Sequence, residues 1–75
     1  MNKERRTRIR KVTKNLSACI SELESIKDEE DYARSCMPEN LEYSEAYEKS
    51  EECSDTMEDA ITDIQGIADS LEKII

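Results

Sequence analysis

Histidine is absent from this chain, glycine and proline occur once each, and three tyrosines are its only aromatic residues. Without histidine there is no imidazole for general-base catalysis, and a zinc site would have to rely on weakly selective carboxylates. The three cysteines, Cys19, Cys36 and Cys53, form no CxxC pair, so neither a structural metal nor a cofactor is expected. One glycine leaves nothing from which to build a phosphate-cradling loop or a nucleophile elbow. Apolar residues nowhere run on for the roughly 20 positions that a membrane-spanning helix needs. These absences argue against an enzyme and against membrane residence, and the expected setting is the cytoplasm.

What remains is short and highly charged. A chain of 75 residues makes one small domain that buries little more than half of its unfolded surface, so disulfides, a metal or oligomerisation must help. An odd number of cysteines reads as reduced, buried thiols, the alternative being a reactive or intermolecular thiol. Oligomerisation is then the support that remains.

Apolar spacing sets the architecture. From Ile9 to Met37, positions 9, 12, 16, 19, 23, 26, 30, 33 and 37 alternate steps of three and four. Glu30 is the one lapse, and Ile20 widens the stripe beside Cys19. Asn2 is suited to cap this helix. Pro38 disfavours helical geometry at Met37 and ends it, and Asn40 or Ser44 can cap the next helix. A second run of threes and fours passes through Tyr43, Ala46, Ser50, Cys53, Met57, Ala60, Ile64, Ile67, Leu71 and Ile74. Ile61, Ala68 and Ile75 lie one position after it, giving a face about three residues in seven wide. Gly66 lies inside this second helix, where it can admit a close neighbour.

The predicted fold is all-α: a single antiparallel two-helix hairpin with coiled-coil-like spacing, helix one over about residues 3–36, a turn over 37–43 and helix two over 44–74. Met57, Ile61, Ile64, Ile67, Ala68, Leu71, Ile74 and Ile75 make a face too wide for one neighbouring helix. They are the expected dimer face of a homodimeric four-helix bundle.

Charge is distributed unevenly. Seven bases within residues 1–14 face Glu4 alone, a local charge of +6 against a total of -8. Between Glu39 and Asp63 ten acidic residues face Lys49 alone. In a hairpin the acidic stretch Asp28 to Asp31 is expected to crowd Glu48 to Asp55, while Asp69 and Glu72 lie near the basic start. Within helix two, Glu48 and Glu52, Glu51 and Asp55, and Asp55 and Asp59 are like-charged i,i+4 pairs. The simplest reading of these carboxylates is a solvated face. The sharper one is a partner-binding surface, Glu45, Glu48, Glu52, Asp55 and Asp59, whose spacing imitates a phosphate backbone.

Arg5, Arg6, Arg8, Arg10 and Lys11 are a possible basic contact, and their position at a helix start is not explained by the helix dipole. No aromatic residue lies among them and the chain is acidic overall, so direct nucleic-acid binding is disfavoured. Tyr32, Tyr43 and Tyr47 flank the turn; they either close the end of the bundle or, Tyr43 and Tyr47 especially, anchor a protein partner.

The stretch Met37-Pro38-Glu39-Asn40-Leu41, with Ser44-Glu45-Ala46-Tyr47-Glu48 and Met57-Glu58-Asp59-Ala60-Ile61 after it, resembles a group of small helical proteins of Gram-positive bacteria and their phages and mobile elements. The likeness extends to the opening Met1-Asn2-Lys3-Glu4-Arg5-Arg6. It implies an αα-hairpin of bacterial or phage origin and carries over no activity and no functional residue. The expected function is that of an acidic protein-binding module inhibiting a basic partner, such as a nucleic-acid-handling or defence enzyme. The alternatives are a dimerisation or assembly module and a nucleic-acid-associated regulator acting through the basic start.

Overall fold

The computed structural model describes residues 1–41 and 44–75. Helix α1 spans Lys3–Ser35, a 3-10 turn spans Glu39–Leu41, and helix α2 spans Glu45–Glu72. Both predicted caps are present. Asn2 Oδ1 accepts the Arg5 N–H at 2.9 Å, and Ser44 Oγ accepts the Tyr47 N–H at 3.2 Å. Each satisfies a first-turn donor that has no partner within its helix. At the other end of α1 the Met37 N–H still reaches Arg34 O at 3.1 Å; Pro38, having no N–H, cannot extend the ladder. The Leu41 N–H then closes the 3-10 turn on Pro38 O at 2.9 Å.

The helices pack along their length into a rod of 60 × 15 × 12 Å. Its radius of gyration, 17.3 Å, far exceeds the roughly 11 Å of a globular chain this long. Such a shape has almost no interior. Ile20, 8% exposed, and Ala68, 5% exposed, are the buried apolar residues among those described.

The contact face is not the one that the apolar spacing predicts. In α1 the half-buried or buried positions are Ile9, Thr13, Leu16, Ile20, Leu23, Lys27, Glu30, Asp31 and Arg34. In α2 they are Tyr47, Ser50, Ser54, Met57, Ala60, Ile61, Ile64, Ala68 and Leu71, with Ile75 just beyond. Every second position is therefore displaced by one residue from the expected seam. Val12, Cys19, Ile26 and Ala33 face solvent, as do Ala46, Cys53, Ile67 and Ile74. An apolar stripe three residues in seven wide offers two possible seams. This hairpin closes over the one that also lets Asp31 and Arg34 meet the hydroxyls of α2 and Lys27 approach Glu58.

Gly66 is not a point of close approach within the hairpin, since a Cβ there would meet nothing within 4 Å.

Candidate interaction surfaces

Four surfaces divide the rod, and the first lies within the seam near the turn. Arg34 Nη1 donates to Ser50 Oγ at 3.1 Å and to Ser54 Oγ at 2.9 Å. Its Nη2 donates to Asp31 Oδ1 at 2.8 Å. Ser54 Oγ donates in turn to Asp31 Oδ1 at 2.6 Å, and Ser50 Oγ donates to Glu30 Oε2 at 2.6 Å. Lys27 Nζ bonds Asp31 Oδ2 at 2.9 Å and approaches Glu58 Oε2 at 3.7 Å. Each serine is thus both acceptor and donor, and no buried side-chain polar atom among the described residues lacks a partner.

This cluster relieves the expected like-charge crowding at the turn end for Glu30 and Asp31. Asp31 meets Lys27 and Arg34 of its own helix and the Ser54 hydroxyl of α2, and Glu30 accepts from the Ser50 hydroxyl of α2. The Ser54 hydroxyl, then Lys27 and Arg34, hold the Asp31 carboxyl well below the usual carboxylate range. The same hydrogen bonds to Asp31 raise Lys27 and Arg34. Glu30, a lapse in an apolar seam by sequence, is the acceptor that positions Ser50.

The second surface is the outward side of α2. Glu45, Glu48, Glu52, Asp55 and Asp59 are exposed and, at 100° per residue, fall on a narrow strip opposite the seam. Over fourteen residues the strip is about 21 Å long. Lys49 bonds Glu45 at 3.3 Å. Among the described residues no cation pairs with Glu48, Glu52, Asp55 or Asp59, in contrast to Asp31. Tyr47 is half-buried at the α2 start and Tyr32 is 73% exposed; Tyr43 lies outside the described residues.

The third is the basic start of α1. Arg5, Arg6, Arg8, Arg10 and Lys11 are all exposed. Among the described residues no ion pair joins them to Asp69 or Glu72. Arg5, Arg8 and Lys11 instead rim a shallow groove floored by Ile9 and Val12.

The fourth surface is apolar and consists of residues that the apolar spacing places in the seam. Val12 is 47% exposed, Ile26 42%, Ile67 54% and Ile74 49%. Cys19, Cys53 and Cys36 are also exposed, which overturns the expectation of buried thiols at the seam positions Cys19 and Cys53. Of the expected dimer face, Ile67 and Ile74 are open. Met57, Ile61, Ile64, Ala68, Leu71 and Ile75 are at least partly covered, because α1 lies over that side.

Compared with protein families, with curated proteins and with solved structures, the chain matches none. These four surfaces are therefore where its function has to be sought.

Proposed function

We propose that this protein is an acidic protein-binding module that acts by association, with the hairpin as the protomer of a homodimeric four-helix bundle. The observation that carries the reading is the division of its carboxylates. Those near the seam are consumed by Lys27, Arg34, Ser50 and Ser54, whereas Glu48, Glu52, Asp55 and Asp59 form no ion pair among the described residues. A chain needing only a solvated surface has no use for like charges at i,i+4 along one strip, since each such pair weakens the helix. A strip of that kind suits a basic protein surface, including a groove that otherwise holds a nucleic-acid backbone, because association there removes the self-repulsion.

Its test uses immobilised protein and a panel of basic nucleic-acid-binding proteins in rising salt. Retention should fall at least about tenfold between low and high ionic strength as the exposed charges are screened. Reversing Glu48, Glu52, Asp55 and Asp59 to lysine should abolish retention while leaving the helical circular dichroism intact. Retention indifferent both to salt and to the reversals contradicts the reading.

A further inference from the structure

Apolar residues at the flank of the seam, all exposed except the half-buried Ala60, form one continuous face. Val12, Cys19, Ile26 and Ala33 recur every seven residues along α1, and Cys53, Ala60, Ile67 and Ile74 do so along α2. Each set lies on the same flank of its helix's seam. Antiparallel helices that meet through equivalent positions are related by a two-fold axis perpendicular to the hairpin plane. Equivalent flanks therefore emerge on the same side of the rod.

Axial register follows from the cross-helix contacts of Arg34 with Ser50 and Ser54, Asp31 with Ser54, and Lys27 with Glu58. It brings Val12 level with Ile74, Cys19 with Ile67, Ile26 with Ala60, and Ala33 with Cys53, to within about half a turn. The face is a ladder of four rungs about 31 Å long and two helices wide. A footprint of roughly 600 Å² results, to which charged rims add, close to the roughly 800 Å² per partner of an ordinary stable interface.

Resting on the assembly reading above, we infer that this ladder is the dimer interface and that the second copy of the chain docks on it head to tail, the turn of one hairpin beside the open end of the other. Two independent features of the ladder fix the direction. The rungs shrink from the open end to the turn: valine with isoleucine, cysteine with isoleucine, isoleucine with alanine, alanine with cysteine. Head-to-tail docking sets the largest rung against the smallest, which keeps the two rods evenly spaced. With both turns at one end, large would meet large and the alanine–cysteine rungs would face each other across a gap. Charge selects the same direction. The largest rung is rimmed by Arg5, Arg8 and Lys11, and the smallest is bordered beside Cys53 by Glu30, Glu52 and Lys49, the last of these already paired with Glu45. Head to tail, the basic end of each copy lies at the acidic turn end of the other; with the turns together the acidic ends coincide.

In this dimer α1 meets the other copy's α1, with Cys19 opposite Ile26, and α2 meets the other α2, with Cys53 opposite Ile74. Two full-length variants read the arrangement directly. One carries Ile26→Cys with Cys36→Ser and Cys53→Ser; the other carries Ile74→Cys with Cys19→Ser and Cys36→Ser. The two thiols of one chain lie about 10 Å apart along the helix in the first and about 31 Å apart in the second, too far to bond within that chain.

Under mild oxidation by diamide, both variants should shift most of the protein from 8.7 kDa to twice that mass on a non-reducing gel. Controls keeping only Cys19 or only Cys53 should stay largely at the monomer position. Sedimentation of the unmodified chain distinguishes the possible failures. A dimer whose variants do not cross-link above the controls leaves the assembly reading standing and overturns this interface and direction. A folded monomer, with the ladder left for a foreign helix, overturns both. Should either variant lose its helical circular dichroism, Ile67→Lys replaces it: the inference predicts loss of the dimer, and a dimer that persists overturns it.

Discussion

The two halves of the hairpin seam are held together by different chemistry. Towards the open end, the positions that α1 and α2 cover in each other are largely apolar: Leu16, Ile20 and Leu23 on α1, and Ile61, Ile64 and Ala68 on α2. Towards the turn, Lys27, Glu30, Asp31 and Arg34 meet Ser50, Ser54 and Glu58 through directional bonds. Apolar contacts are proportional to area and tolerate sliding by a turn. A guanidinium that bonds two serines and an aspartate does not, because a slip would strand buried hydroxyls. Most of the stability thus belongs to the open half, and the register to the turn half.

The largest effect is expected in the apolar half. Ile20→Ala removes the best-covered large side chain and should cost about 2 kcal/mol, at the low end for such truncations because the rod can close around the gap. In thermal denaturation that is a fall of roughly 10 °C for a chain of this size. Ser54→Ala, in the polar half, should cost about 1 kcal/mol, since Arg34 and Asp31 each lose a bond. If instead it proved as costly as Ile20→Ala, the division of labour between the halves would be wrong.

Smaller again is a gain. Gly66→Ala should stabilise α2 by about 0.5–1 kcal/mol, because the site is helical and open within the hairpin. The last prediction concerns pH. The Asp31 carboxyl is held below its ordinary range in the folded chain, so its contribution is complete above the unfolded value of about 4 and is lost as pH falls beneath it. The melting difference between the wild-type chain and Asp31→Asn should therefore be largest near neutrality and shrink below about pH 4. The difference isolates Asp31 from the other carboxylates, which both chains share. A difference that stays constant from pH 7 to pH 3 would remove Asp31 from the clasp.

Much of the fold is legible in the residues. Asn2 and Ser44 are caps by chemistry, and Pro38 stops α1 for lack of a donor. Threes and fours of apolar spacing give two long helices, and a short connection makes them neighbours. The seam is harder to read. Choosing apolar residues at every step favours Val12, Cys19, Ile26 and Ala33 over Thr13, Ile20, Lys27 and Arg34, and hence the wrong flank. Periodicity alone cannot separate two seams that share Ile9, Leu16 and Leu23 and differ by one residue at alternate steps. A usable signal lay in the complementary set: Lys27, Asp31 and Arg34 spaced along one side of α1, and Ser50 and Ser54, small and hydroxylated, at i,i+4 in α2. The surfaces fare similarly. The acidic strip is visible from spacing alone, whereas the open apolar ladder emerges only once the seam is known, because its members look like core.

Sedimentation equilibrium of the unmodified chain at micromolar concentration is the most direct test of the claim that this rod is built to associate. The expected result is twice the 8.7 kDa chain mass, reduced to a single chain by Ile67→Lys without loss of helix. A cooperatively melting species at 8.7 kDa, unchanged by Ile67→Lys, would contradict it.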